Sequence, residues 1–278
     1  MTLAPRPPRT DLHRFARRHP ITAFSLGAFG LGWPLLAVTT VTGGWGRTPL
    51  GLAYTYVALL GSALVVTWLT GGPGAVRRFL ARFLIWRFGV LRWSAVVFAL
   101  PALTLAVAAV SGTLQTPAGG WLAAAGAYLF QTFVAGALMV NLAEEGAWSG
   151  FVQTRLTDRH GLLRGALLTA PLFVAIHLPL QFTPGWSWSS VAVSIGVLAV
   201  VAPFFRYVLG ETLLATRGSL LAVGVQHAAF NASGQLGLPG GWQFLPAVAL
   251  LAVIVAVVRG MRTRSGRSVA VPPVERRA

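Results

Sequence analysis

The sequence predicts an all-α, polytopic membrane fold, and three observations carry that prediction. Of the 278 residues, 55% are hydrophobic and only 10% charged, with a positive mean hydropathy, a balance outside that of ordinary soluble domains. Apolar stretches of about the 20 residues needed to cross a bilayer recur along nearly the whole length, separated by Gly, Pro and Arg. The 22 basic residues are all Arg and gather at the ends of those stretches, as a positive-inside topology requires. Helices must fill the stretches, because backbone in lipid can satisfy its hydrogen bonds only within the segment itself.

Taken in order, a basic segment at 1–20 is expected to be an unstructured cytoplasmic tail. The run from Ile21 to about Thr42 is too long for a signal-peptide core and has no clear small-residue cleavage site, so it reads as a retained first span. With it the spans number eight, at about 21–43, 50–70, 94–111, 123–145, 162–181, 189–205, 218–236 and 243–259. The connections near 44–49, 112–120, 182–188 and 237–242 hold a single Arg, Arg47, whereas those near 71–93, 146–165 and 206–217 and the two termini hold the rest. That alternation puts both termini in the cytoplasm. Within 71–93, Val76, Phe79, Leu80, Phe83 and Leu84 alternate with arginines at helical period, which predicts an amphipathic helix on the cytoplasmic surface. The spans form one membrane-embedded domain over 21–260, and 261–278 is a second basic tail.

Some function classes are excluded at this stage. A net charge of +16 would suit a phosphate-bearing partner, but its placement at span ends assigns it to topology, so no nucleic-acid partner is expected. With no cysteine, the chain offers no disulfide framework, thiolate nucleophile or Cys-ligated zinc. The Arg-only basic set points to a GC-rich, bacterial genome, hence a multi-pass protein of a bacterial plasma membrane.

Candidate chemistry stands out because the spans are so apolar. Glu144 and Glu145 close a run reading LFQTFVAGALMVNLA, where each ionised carboxylate near the bilayer centre costs roughly 2.5 to 3.5 kcal/mol on the translocon scale. His177 lies in LFVAIHLPL, and His227 in LAVGVQHAAFNASG. Asn231 follows His227 by four residues, so both project from one face of a helix. Intramembrane polar groups lower their burial cost by meeting one another or by lining a wet cavity, so the three segments are expected to converge.

The strings EEGAWSGFVQTRL from Glu144, FVAIH from Phe173 to His177, and HAAFN from His227 to Asn231 resemble the three ordered motifs of the CPBP family of intramembrane proteases. That family includes the type II CAAX prenyl endopeptidases and the Abi proteins. The resemblance implies a CPBP-like core over about 123–260 and an intramembrane endopeptidase acting on a membrane-associated peptide or protein. It implies Glu144 as general base toward water, His177 orienting that water, and His227 and Asn231 donating to the oxyanion, with Glu145, Ser149 and Phe173 in support. Glu144, His177 and His227 could also supply three ligands to a catalytic zinc, although the HExxH pattern is absent.

The chain departs from the family pattern at Ser149, where the resemblance implies an Arg placed at i+4 to pair with Glu145. Glu145 then needs another cation, with Arg155, Arg159, Arg206 and Arg217 as candidates. Two alternatives stay open: a catalytically inactive membrane scaffold of the same family, and a proton-coupled transporter built on buried Glu and His. A shared site also demands one depth for Glu144 and His177. The spans as drawn do not give that, so the fourth helix is expected to run further, from about Ala127 to about Arg155.

Overall fold

The computed structural model describes residues 11–42, 49–234, 236, 238 and 241–264, and all regular structure among them is helical. Helix α1 spans Asp11–Arg18 and α2 spans Pro20–Val41. Helix α3 covers Pro49–Leu84, α4 Val90–Val110 and α5 the long stretch Gly120–Ile176. A single 3-10 turn, Leu178–Gln181, leads to α6 at Trp188–Ala215, α7 at Leu220–Ser233 and α8 at Phe244–Arg264. Among the described residues, α2, α3, α4, α5, α6 and α8 are long and apolar enough to cross a membrane. With only 14 residues, α7 is shorter than a span and is buried along nearly its whole length. The outer helices turn large apolar side chains such as Leu26, Val65, Phe98, Val193 and Val253 outward, as a lipid-facing surface requires.

Two glycine breaks convert long apolar helices into several passes. At Gly161, φ is +78° and ψ 168°, outside helical geometry, and α5 folds back into two arms, 120–160 and 162–176. The arms start in close contact, since a Cβ at Gly165 would stand 2.8 Å from the Thr157 backbone. At Gly72, φ +71° and ψ −173° redirect α3, with Pro73 opening the new helical turn.

The redirected part of α3 is the amphipathic segment expected from sequence, but it is helical over 73–84 only. The chain becomes extended at Ile85, so 85–89 is not helix. Phe79 and Phe83 turn inward while Arg77, Arg78, Leu80 and Leu84 stay exposed. Arg82 fastens the segment by donating to Gly218 O at 3.0 Å, Gly150 O at 3.0 Å and Thr154 Oγ1 at 3.3 Å.

Three further sequence expectations need correction. The basic tail is not unstructured over 11–18: α1 docks on α3, where Arg17 donates to Thr70 O at 3.1 Å and His13 lies against the Trp68 ring. The Thr70 carbonyl at the α3 break gives Arg17 a partner that the sequence does not display. The fourth span does not stop at 145, because the first arm of α5 continues to residue 160. The sixth span does not stop at 205 either, and Arg206 therefore stands inside α6 rather than in a loop. The expectations for 1–10, for the loop 43–48 with Arg47, and for 265–278 lie outside the described residues.

Candidate functional site

Hairpin geometry places the two motif-bearing arms of α5 at one depth. Glu144 lies 17 residues before Gly161 and His177 lies 16 residues after it, so each stands about 25 Å from the fold at 1.5 Å per residue. The T-shaped contact of Trp148 with Phe173, ring centroids 5.9 Å apart, joins the arms just below that level. Extending the fourth helix thus removes the depth conflict in the sequence reading. Stretches of i→i+5 bonding over Gln131–Asn141 and Gly146–Gln153 bracket the glutamates and rotate the residues between them, a local device common at functional sites.

Small residues bring α7 against the same arm. A Cβ on Gly136 would meet Ala228 Cβ at 2.8 Å and Asn141 Oδ1 at 3.2 Å; one on Gly224 would meet Leu142 Cα at 3.0 Å. Close approach of backbones at Gly is the usual way helices pack where no hydrophobic drive separates lipid from side chain. It delivers His227 and Asn231 to the glutamates.

The two glutamates, both buried, are bonded very differently. Glu145 is saturated: Oε1 accepts from Arg206 Nη1 at 2.9 Å and His227 Nδ1 at 2.9 Å, and Oε2 accepts from Arg206 Nη1 at 3.1 Å and from Ser149 Oγ. Glu144 is not. Its Oε2 accepts from Asn141 Nδ2 at 3.2 Å and lies 3.8 Å from His227 Nδ1, while Oε1 has no protein partner. A buried carboxylate oxygen with unused lone pairs is costly in a folded protein and is kept where chemistry needs it. Asn231 reaches Glu144 indirectly, through Asn141, whose Oδ1 lies 3.4 Å from Asn231 Nδ2.

The imidazoles have defined roles in this network. His227 Nδ1–H donates to a carboxylate, which fixes that tautomer and leaves Nε2 as its second functional nitrogen. His177 closes the second arm of α5, and its Nδ1–H donates to Phe173 O at 2.6 Å, again leaving Nε2. Phe173 stands between the two rings, 4.6 Å from His177 and 6.0 Å from His227 by centroid. The structure therefore gathers Glu144, Glu145, Ser149, His227, Asn231 and Phe173 in one network and sets His177 at its edge.

The cation for Glu145 comes from Arg206, one of the four candidates read from sequence. Fully buried, it uses all five N–H donors: two from Nη1 to the carboxylate, Nη2 to Ser149 Oγ at 2.8 Å and to Gln153 Oε1 at 2.6 Å, and Nε to Gln153 Oε1 at 2.9 Å. Gln153 Nε2 closes the frame on Arg206 O at 2.7 Å. Its guanidinium carbon stands 5.4 Å from the Phe173 ring centre. Burial of an ion pair is tolerable when the remaining donors and acceptors are satisfied, as they are here. Ser149 is thus no gap, since its hydroxyl donates to Glu145 and accepts from Arg206.

Sequence reasoning missed Asn141, Gln153 and Tyr54. Asn141 was legible in principle, being three residues before Glu144 on the same helical face. Tyr54, fully buried on α3, carries a hydroxyl with no protein partner.

A zinc ion on Glu144, His177 and His227 does not fit this arrangement. Among the described residues no three His, Asp or Glu groups come together closely enough to hold a metal. His227 Nδ1 is already a donor to Glu145 and His177 Nδ1 to a backbone carbonyl. What the residues can do is acid–base chemistry: one carboxylate with a free oxygen, a second carboxylate that orients an imidazole, and an amide donor behind it.

Beside His177, between α2 and the Leu178–Gln181 turn, lies an apolar cavity of about 640 Å³ lined by Phe29, Trp33, Pro34, Leu178, Pro179 and Phe182 among others. Comparison with known proteins brings one finding: residues 126–233, which hold all three motifs, match the family described as type II CAAX prenyl endopeptidase Rce1-like. No curated protein matches the chain.

Proposed function

We propose, from the premise that residues 126–233 match the type II CAAX prenyl endopeptidase Rce1-like family, that this integral membrane protein cleaves a membrane-associated peptide or protein with Glu144 as general base. One observation carries the assignment of roles: of two adjacent buried glutamates, Glu145 has all its lone pairs engaged and Glu144 has an oxygen with no protein partner.

Hydrolysis of an amide needs a water, an acceptor for its proton and donors for the oxyanion. Glu144 Oε1 takes a proton as water oxygen bonds to the carbonyl carbon, and the same proton passes to the amide nitrogen as the C–N bond breaks. Asn141 steadies the other Glu144 oxygen during that exchange. With a proton on each ring nitrogen, His227 donates from Nε2 to the developing oxyanion beside Asn231 Nδ2, one donor of that kind being worth roughly 3 kcal/mol of barrier. His177 Nε2 orients the water or the leaving group. The cavity beside His177 suits an apolar stretch of substrate lying in the membrane. No step passes through a metal.

The inactive-scaffold alternative rested on the missing Arg at 149, and the endopeptidase reading is supported against it by Arg206, which supplies Glu145 with a cation from α6. No observation favours a transporter. We further assign the protein to a bacterial plasma membrane with both termini cytoplasmic, on the distribution of its arginines.

The test compares wild type with Glu144→Gln on membrane-peptide libraries in proteoliposomes. Loss of a general base is expected to lower the rate by about 100-fold or more, with the thermal unfolding midpoint retained. Cleavage at an undiminished rate by Glu144→Gln would sink the proposal.

A further inference from the structure

We propose that Arg206 is a positioning residue of the site: by clamping Glu145 it fixes the His227 ring, so that the cation a helix would ordinarily place at i+4 is supplied instead across the bundle from α6. The proposal rests on the endopeptidase reading above and adds a residue that lies outside all three motifs.

Three features of the geometry lead to it. First, Arg206 is wholly engaged in orienting groups rather than in binding anything else, because every guanidinium N–H meets Glu145, Ser149 or Gln153. Second, the chain of contacts runs directly to the reacting end of the site: Arg206 holds Glu145 Oε1, the oxygen that also accepts from His227 Nδ1. Arg206 Nη1 reaches both carboxylate oxygens while Nη2 holds the Ser149 hydroxyl that donates to Oε2, and these contacts together fix the plane of the carboxylate and so the direction in which it accepts the imidazole proton. Third, the Arg206 Nη2 lies 2.8 Å from Ser149 Oγ, so its guanidinium fills the space that a long side chain at 149 would enter. Position 149 is the i+4 neighbour of Glu145, from which an arginine could pair with it along α5. One volume, one cation and two possible origins are the result.

The arrangement also divides the carboxylate labour. Arg206 balances the charge of Glu145, which leaves Glu144 as the carboxylate with no arginine of its own. Without that division two adjacent buried carboxylates would compete for His227, which stands 2.9 Å from one and 3.8 Å from the other.

The test uses the full chain in proteoliposomes and four variants: Arg206→Met, Arg206→Lys, Ser149→Arg, and the exchange Ser149→Arg with Arg206→Ser. Arg206→Met is expected to lower kcat about 100-fold, as misplacement of a catalytic group by about 1 Å does, with KM little changed. Arg206→Lys guards against misfolding in the Met variant; it keeps the charge but cannot serve Glu145, Ser149 and Gln153 at once, and is expected to stay folded with kcat about tenfold down. Ser149→Arg alone crowds a second cation into a filled space and is expected to lose activity, whereas the exchange is expected to recover more activity than either parent single variant. A readout independent of proteolysis is the ¹⁵N spectrum of histidine-labelled protein. The Nδ1–H resonance of His227, assigned by its loss in His227→Gln, is expected to move in Arg206→Met and return in the exchange. An unmoved His227 resonance together with wild-type kcat in Arg206→Met overturns the positioning role. A wild type that cleaves nothing overturns the endopeptidase reading alone, because the spectrum still decides the fate of the clamp.

Discussion

At Gly136 an added methyl would stand 2.7 Å from Gln131 O, 2.8 Å from Ala228 Cβ on α7 and 3.2 Å from Asn141 Oδ1, so Gly136→Ala should disturb the site without altering any of its polar side chains. Ordinary van der Waals contact begins at 3.4 Å, which means that α5 and α7 must separate by about 0.6 Å or the helix must rotate. Either response moves His227, the residue before Ala228, and stretches the Asn231–Asn141 contact, which at 3.4 Å is already near the limit of a hydrogen bond. Overpacking of this kind costs about 1 to 3 kcal/mol, against roughly 0.5 to 1 kcal/mol gained by replacing a helical Gly with Ala. The net expectation is a loss of about 1 to 2 kcal/mol in stability, with a 10- to 100-fold fall in kcat/KM, since sub-ångström misplacement is felt at that scale. Gly126→Ala on the same arm is the control, because nothing lies within 4 Å of its added Cβ. It should be neutral or slightly stabilising. Thermal unfolding in detergent and peptide cleavage in proteoliposomes read the two effects. If Gly136→Ala behaves like Gly126→Ala in both assays, close packing at this crossing does not hold the site.

Gly210→Ala would place a Cβ 2.4 Å from Gln153 Nε2 and is expected to loosen the Arg206 frame, lowering kcat about tenfold in the same cleavage assay. Gln153→Leu removes the acceptor of two Arg206 donors and should cost about 2 kcal/mol, read as a drop in the unfolding midpoint; an unchanged midpoint would contradict the frame described above. Arg82→Met cuts the three bonds that tie the 73–84 segment to α5 and to Gly218, and is expected to raise protease sensitivity of that segment while leaving Glu144 chemistry intact. Chelators such as EDTA and phenanthroline should leave cleavage unaffected, and reversible loss of activity with restoration by zinc would refute the metal-free mechanism.

The helical membrane class and the apolar stretches were legible because composition and charge placement are global signals, spread over the whole chain. The triplet of motif segments was legible because polar groups are rare inside apolar runs, so Glu144, His177 and His227 stood out singly. What pairs with what was less legible. Arg206 lies 61 residues from Glu145 and follows an apolar run, so the positive-inside logic places it in a loop. Only the continuation of α6 to Ala215 turns it inward. The depth of the glutamates became legible only by requiring Glu144 and His177 to meet, which extends the fourth helix to about Arg155. A span drawn to bilayer length stops at Glu145, whereas the helix runs on until Gly161 adopts a backbone geometry that ends it. Asn141 was overlooked although it shares a helical face with Glu144, because an amide beside two carboxylates draws less notice than its bonding warrants.

The full engagement of the Arg206 guanidinium has a bearing on how the protein is made. Arg206 lies nine residues before the end of α6, about 14 Å along the helix axis, so α6 on its own would carry an unpartnered cation into the bilayer at roughly 2.5 to 3.5 kcal/mol. The partners that relieve that cost, Glu145, Ser149 and Gln153, all sit on the first arm of α5, which leaves the ribosome earlier. The contacts that assemble the site are therefore the same ones that make α6 stable in lipid, so the hairpin at Gly161 and the docking of α6 stand or fall together.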